Sequence, residues 1–377
     1  GQRTRSGPQL PRRQVLAALK IAVDAMGGDH APRAVVEGAH AAAVEDGAEV
    51  ILVGREEAVR AELARLGDHG GRIEVVHAEQ VVEMDDPAIA PLRKKRRSSI
   101  RIACELVKEG RAAAVVSAGN TGAVMTAAMM VMKTIPGIDR PALAAVLPNL
   151  VGRTVLLDVG ANVSTKPHHL RQFAVMGHLY AQQVLGTASP RVGLMSVGEE
   201  EGKGTDLTRE VFKVLKETGL NFVGNVEGRD VFAGTVDVIV CDGFIGNVVL
   251  KAAESLASMV GKMLEQELRA GIVRRVGAAL ALPALREVRR RTDPNQYGAA
   301  PLLGVQGGCF IGHGRSSALG IRNSVRRAVE FCSHEVSEKI RTQMELIHRQ
   351  EEAVRGSTET QSGIAGVENG ATEAEAG

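Results

Sequence analysis

A Rossmann-like α/β/α sandwich on a mostly parallel sheet is what the patterning of this chain predicts. Three observations carry it. Short aliphatic runs alternate with Ala/Leu/Glu/Arg-rich stretches of helical period; most of those runs end in glycine-rich or Asp/Asn-bearing loops; and 377 residues, 44% of them hydrophobic, suffice for a full core. Alternating strands and helices call for parallel strands joined by crossovers, and the handedness of crossovers places helices on both faces.

Residues 1–19 read as a loose basic lead holding Arg3, Arg5, Arg12 and Arg13, with no long apolar core of a signal peptide. The first strand, 20–24, is the apolar run Ile21-Ala22-Val23 closed by Asp24, and Gly27-Gly28 then bends the chain. Asp24, Asp29 and His30 set ionisable groups at that strand's carboxyl end, where open α/β sheets bind ligands; a tight βα turn with a capping Asp is the plainer alternative. Helix 31–46, strand 49–53, helix 55–66 and strand 73–77 follow by the same alternation. The basic run Arg93-Lys94-Lys95-Arg96-Arg97 precedes Ser98-Ser99, a cap for helix 98–110. That run is either a solvated loop or a landing site for an acidic partner, with Arg96 and Arg97 as the contacts.

Strand 113–117 opens into Ser117-Ala118-Gly119-Asn120-Thr121-Gly122 and an apolar helix, so Ser117, Asn120 and Thr121 stand beside a helix N-terminus suited to an anion. The apolar run from Ala123 to Met132 is a candidate wall for an apolar ligand or plain core, and it is too short to span a membrane, which takes about 20 residues. Strand 154–158 leads to Asp158 and Asn162, and helix 168–186 follows. Strand 191–197 leads to Gly198–Asp206 with Lys203 between glycines, then helix 206–218. Strands 221–224 and 236–241 complete the pattern, the latter ending at Asp242 and Asn247. Five such corners, gathered on one sheet edge, would make a phosphate or acyl site. Asp24, Asp158 and Asp242 either touch that ligand or cap and shape their loops.

The stretch 270–292 mixes aliphatics with arginines. It suits a membrane interface, with Arg274 and Arg275 at the surface, or equally an amphipathic pair packing on the core or a second subunit. A charged helical stretch runs to about Arg355, and 356–377 reads as a disordered tail, leaving 20–355 as the α/β/α domain.

Several function classes are disfavoured. Cys104, Cys241, Cys309 and Cys332 have no zinc-type spacing, so no metal is expected, and their use fits a reducing cytosol. A formal charge of +2 with 2% aromatics offers little to nucleic acid. Gly198–Lys203 has three residues between its glycines where a P-loop has four, and no G-x-G-x-x-G follows a strand. Gly193–Gly198 has one residue too many for a nucleophile elbow.

D-A-M-G-G-D-H-A-P (24–32), R-K-K-R-R-S-S (93–99), S-A-G-N-T-G-A (117–123), G-I-D-R-P-A-L (137–143), L-D-V-G-A-N-V (157–163), G-N-V-E-G-R-D (224–230) and C-D-G-F-I-G-N-V (241–248) occur in this order. On these motifs the chain, from about residue 20 to about 340, resembles the bacterial acyl-carrier-protein:phosphate acyltransferases of phospholipid synthesis. The resemblance implies a homodimer with a fold related to phosphotransacetylases and isopropylmalate dehydrogenases. It implies transfer of a fatty acyl group from acyl carrier protein to inorganic phosphate, without a cofactor. The acyl phosphate then serves a membrane glycerol-3-phosphate acyltransferase, so the expected location is the cytoplasm, peripheral to the inner face of the membrane.

Under that reading Lys203 neutralises phosphate and Asn247 orients phosphate or the acyl carbonyl. The remaining binding positions are Asp24, Gly27, Gly28, His30, Ser117, Asn120, Thr121, Asp158, Asn162, Asn225, Asp242 and His313. Rival expectations are a phosphotransacetylase-like enzyme using acyl-CoA, a nicotinamide-dependent dehydrogenase on the related scaffold, and a non-catalytic peripheral membrane protein.

Overall fold

The computed structural model describes residues 19–87 and 94–350. Residues 1–18 of the basic lead, the tail and Arg93 lie outside the described residues. Eleven strands form one sheet in the order β3-β2-β1-β4-β11-β10-β5-β6-β9-β7-β8. These are β1 (Lys20–Asp24), β2 (Glu49–Gly54), β3 (Ile73–His77), β4 (Ala114–Ser117), β5 (Ala142–Pro148), β6 (Arg153–Leu157), β7 (Val192–Met195), β8 (Phe222–Val226), β9 (Val238–Val240), β10 (Ala300–Leu303) and β11 (Gly308–Ile311).

Side-chain alternation sorts the strand residues onto two faces. Ile21 and Val23 join one core with α1 (Arg33–Glu45), α2 (Glu56–Leu66), α5 (Pro167–Gln183), α6 (Asp206–Lys216) and α11 (Ala318–Ser333). Ala22 joins the other, with α3 (Ser99–Lys108), α4 (Thr121–Ala127), α7 (Asp230–Ala233) and the first turns of α8 (Gly243–Arg269). Both faces being covered explains why the strands read as aliphatic runs. The predicted sandwich is what forms, and the eight predicted strands are all present.

Three strands escaped the sequence reading: β5, β10 and β11. ALAAVLP, APLL and GCFI are short and rich in Ala, Gly and Pro, so local propensity does not mark them. They lie at the centre of the sheet, where burial on both faces decides. They also overturn the expected single ligand edge. β10 pairs antiparallel with both β11 and β5, and β5 pairs antiparallel with β6. Strand direction therefore reverses between β5 and β6. The carboxyl ends of β1 and β4 leave by one edge of the sheet; those of β6, β9, β7 and β8 leave by the other.

The apolar run 123–132 divides into α4 and one π turn, Ala128–Met132. Val131 and Met132 are buried in the core, while Met129 and Met130 are exposed. Beyond its first turns α8 leaves the body and turns into α9 (Ile272–Thr292), in which no residue is buried. The segment 270–292 thus forms a projecting hairpin arm and does not pack on the core. A short α10 (Pro294–Tyr297) returns the chain to β10, and residues 336–350 are helical.

The root of α8 is fixed by contact with the end of β6. A Cβ on Gly246 would land on the Asp158 carbonyl oxygen and lie 2.9 Å from Cys241 Sγ. Gly246→Ala should therefore cost about 3 kcal/mol of stability, read as a drop in melting temperature of about 6–10 °C. Gly261→Ala, whose new methyl meets nothing within 4 Å, should leave the melting temperature unchanged or raise it.

Candidate active site

The site residues expected from sequence divide between the two edges. At the β1/β4 edge, Asp24 is 3% exposed; its Oδ2 accepts from Ser117 Oγ (2.7 Å) and its Oδ1 from the Met26 amide (3.2 Å). Burial pushes the Asp24 carboxyl up, against the donors Ser99, Ser117 and Met26. Gly119 N–H closes the network on Ser117 Oγ at 3.1 Å. Gly27 must be glycine, since a Cβ would lie 2.8 Å from both Asp24 Oδ2 and Gly119 N. Gly28 takes a φ of 104° and sits against the 312–314 loop, where Asp29 N–H donates to the Gly314 carbonyl at 2.8 Å.

Asn120 caps α4 through Ala123 N–H (3.0 Å) and donates to the carbonyls of Met84 (2.8 Å) and Asp86 (3.1 Å). Asp24 and Asn120 thus have their polar atoms bonded inside the protein and tie loops together, which for Asp24 is the loop-shaping alternative of the sequence reading. Thr121, His30 and His313 are the exposed members of this edge. In the basic run, Lys95 is held by the Val81 carbonyl (2.9 Å) and Asp86 (2.6 Å), and Arg97 lies 3.7 Å from Glu79. Arg96 is exposed.

At the opposite edge Asp158 is fully buried and accepts five hydrogen bonds. Oδ1 receives Leu143 N–H (3.0 Å), Gly160 N–H (3.3 Å) and Ala161 N–H (3.0 Å); Oδ2 receives Asn162 N–H (2.6 Å) and Asn162 Nδ2 (3.0 Å). Burial is the larger influence and lifts the Asp158 carboxyl above its ordinary value, opposed by these donors. With both oxygens enclosed, Asp158 shapes the loop, as one of the two sequence readings had it. Asn162 extends the tie, donating to the Pro141 carbonyl (2.7 Å) and accepting Gly243 N–H on its own carbonyl (2.8 Å). Asp242 caps α8 through Ile245 N–H at 2.9 Å.

Two side chains remain free on this frame. Asn247, one turn into α8, is exposed and lies over Gly160, where an added Cβ would be 3.6 Å from Asn247 Oδ1. Lys203 projects from the loop after β7, its stem passing over Gly198. Among the described residues neither the Lys203 ammonium nor the Asn247 amide has a hydrogen bond or ion pair. Of the acids before Lys203, Glu199 pairs with Arg229 (2.5 Å) and Glu201 with Lys216 (2.8 Å), while the Glu200 carboxylate lies over Gly198 beside the Lys203 stem. Asn225, at the end of β8, donates to the Glu200 carbonyl (2.8 Å), and its Oδ1 is buried without a partner.

Sequence reasoning missed a cluster beside this frame. Asp139 Oδ2 lies 2.8 Å from His168 Nε2 and 3.9 Å from His169 Nε2. The Lys166 amide donates to His169 Nδ1 at 3.0 Å, which leaves the ring proton on Nε2 facing the carboxylate. As found, these groups form a hydrogen-bonded set, and a cation there would need a lone pair that His169 does not present. Burial, then the nearby His168 and Arg140, push His169 down, so it stays neutral at pH 7. The signal lay in G-I-D-R-P-A-L, which includes Asp139 and Arg140, but their grouping with His168 and His169 is made by the fold.

Comparison with known proteins bears on this frame. A family model described as "Fatty acid synthesis protein" matches residues 19–339. The phosphate acyltransferase of Pelotomaculum thermopropionicum is 52% identical over 330 residues, 87% of this chain and 96% of that protein. That of Geotalea uraniireducens is 52% identical over 322 residues, 85% of this chain and 93% of the relative. Among solved structures, a phosphotransacetylase from Streptococcus pyogenes matches with a TM-score of 0.60 at 18% identity, covering 85% of this chain and 96% of that one. The EutD phosphotransacetylase from Staphylococcus aureus matches with a TM-score of 0.55 at 16% identity, covering 85% and 98%. At those identities the structures speak for the shared α/β/α fold alone. The sequence matches go further: the chain belongs to the fatty acid synthesis protein family.

Proposed function

We propose that the chain is an acyltransferase that passes a fatty acyl group from acyl carrier protein to inorganic phosphate, reversibly giving acyl phosphate for phospholipid synthesis. The observation that carries the chemistry is the unpaired Lys203 ammonium and Asn247 amide on the loops of neighbouring strands β7 and β9. The relatives' name, phosphate acyltransferase, supplies the reaction class.

A phosphate oxygen attacks the thioester carbonyl carbon. The C–O bond forms as the carbonyl becomes an oxyanion; collapse breaks the C–S bond, and the departing thiolate takes a proton from solvent. Phosphate is itself the nucleophile, so the protein's part is to hold it and stabilise charge. Lys203 neutralises phosphate, and the Asn247 amide donates to phosphate or to the developing oxyanion. Asp158 acts indirectly, fixing Gly160 beneath Asn247. Val163, Val197 and Phe244, 72%, 80% and 62% exposed at the ends of β6, β7 and β9, give an apolar rim that suits an acyl chain.

The finer partners rest on the projecting arm and the basic run. Leu256, Met259, Val260 and Met263 make an exposed stripe at helical spacing on α8, an interface for a second copy in a homodimer. Ile272 and Val273, at least 80% exposed at the arm's tip, suit the interface of the inner membrane face, where the product would meet a membrane glycerol-3-phosphate acyltransferase. Arg274 pairs with Glu267 and Arg275 Nε donates to the Arg269 carbonyl (3.1 Å), so both arginines also hold the turn. No described helix is long and apolar enough to cross a membrane. Arg96 and Arg97 present charge to an acidic carrier protein.

Three measurements test these assignments. Phosphate-dependent loss of acyl-carrier thioester, with acyl phosphate trapped as hydroxamate, should fall about 100- to 1,000-fold in Lys203→Ala with the melting temperature held. Wild-type turnover there would sink the role of Lys203, and equal turnover of acyl-CoA would sink the carrier's part. Ile272→Asp/Val273→Asp should lose co-sedimentation with anionic vesicles; retained binding removes the arm from the membrane. Arg96→Glu/Arg97→Glu should weaken carrier binding at low salt only, and unchanged binding would exclude this landing site.

A further inference from the structure

Lys203 stands between Gly202 and Gly204, and Gly204 takes a φ of 100°. A lysine flanked by glycines samples many positions unless the turn beneath it is fixed. Two hydrogen bonds fix that turn, and both end on one atom. The Glu200 carbonyl accepts the Lys203 amide N–H at 3.0 Å, which closes the turn 200–203, and it also accepts Asn225 Nδ2 at 2.8 Å. Asn225 is firmly seated: it is 6% exposed and lies in β8, in register with Leu194 of β7. Where the loop leaves β7, Ser196 N–H donates to the Val226 carbonyl at 2.8 Å and joins the ends of the same two strands. Where the loop enters α6, Gly204 packs against Ser196 and Thr208, and Thr205 Oγ1 accepts Thr208 N–H at 3.2 Å. Between these two fastened ends, Asn225 is the side chain that grips the turn.

Stability does not account for an asparagine here. Its Oδ1 is buried without a partner, a cost that an apolar side chain would avoid. Its Nδ2 faces a carbonyl, so the donor is what the position uses. The Glu200 carboxylate lies over Gly198 beside the Lys203 stem, and a turn released from Asn225 can bring the ammonium onto that acid. Resting on the acyl-transfer reading above, we propose that Asn225 is a positioning residue. Through the Glu200 carbonyl it sets where the Lys203 ammonium stands, and it touches neither phosphate nor thioester. This differs from the ligand contact that its motif suggested.

The test varies phosphate and acyl-carrier thioester separately on the full chain. In Asn225→Ala the KM for phosphate should rise about 5- to 20-fold, while the KM for the thioester stays within about two-fold of wild type. Asn225→Asp keeps the shape and makes the donor titratable. Ionised, it turns an acceptor toward the Glu200 carbonyl; protonated, its O–H replaces the lost N–H. Its kcat/KM for phosphate is taken as a ratio to wild type, which cancels the titration of Lys203, Glu200, Glu199, Arg229 and phosphate common to both proteins. That ratio should rise about ten-fold as the pH falls from ~8.5 to ~6. In a Lys203→Ala background, Asn225→Ala should change turnover by less than about two-fold, since its effect passes through the lysine. Losses that multiply, a ratio flat with pH, or equal rises in both KM values would each overturn the proposal. Limited trypsin digestion reads the turn without turnover: cleavage after Lys203, mapped by mass, should be about ten-fold faster in Asn225→Ala, and an unchanged rate would also overturn it. If wild type forms no acyl phosphate but cleavage still responds to residue 225, the acyl-transfer reading falls and the tie to the turn stands.

Discussion

A carboxylate buried out of reach of water must be met by donors, and in this protein the Asp158 carboxylate organises everything around it. Five N–H groups turn inward to meet it. Four come from residues 160–162 and force that segment into a tight nest; the fifth, from Leu143, fastens the nest to the neighbouring strand. The position of Gly160 beneath Asn247, the bond from Asn162 to Pro141 and the seating of Gly243 all follow. An unpaired buried carboxylate is costly enough that the loop has little freedom to do otherwise. The same logic holds at Asp24, where Ser117 and Met26 are the donors.

These two acids look alike in sequence, each closing an aliphatic strand before a glycine-bearing loop. The sheet gives them different neighbours. Antiparallel pairing around β10 and between β5 and β6 reverses the strands, so Asp24 and Asp158 organise opposite edges. On the Asp24 edge the polar side chains of Asp24, Ser117 and Asn120 are spent on one another and on backbone. On the other edge the Asp158 loop is equally closed, yet Lys203 and Asn247 stand free beside it and Asn225 Oδ1 is buried without a partner. The proposed phosphate role of Lys203 draws on this contrast, since a cation without a protein partner needs no ion pair broken when an anion arrives.

The projecting arm obeys a different constraint. α8 and α9 together present Leu256, Met259, Val260, Met263, Ile272, Val273, Val276 and Leu280 to solvent. Their amphipathic pattern was legible from 270–292, but the pattern alone fits packing on the core just as well. Only the fold removes that option, because α8 is anchored at its root by Gly243 and Gly246 and then points away.

The sequence by itself determined the elements whose signals are local. Aliphatic runs such as Ile21-Ala22-Val23 and Val238-Ile239-Val240 mark strands, and Asn120 and Asp242 mark helix starts, because hydrophobic period and capping act within a few residues; Ser98, expected to cap α3, precedes it without a side-chain cap bond. It also supplied the ordered motifs that give the family. What tertiary structure alone decided was the reversal of strand direction, carried by β5, β10 and β11, whose Ala, Gly and Pro residues have no strand signal of their own. The grouping of Asp139 with His168 and His169 was decided there too. Pairing partners and edges depend on contacts between residues far apart in the chain, which no local pattern encodes.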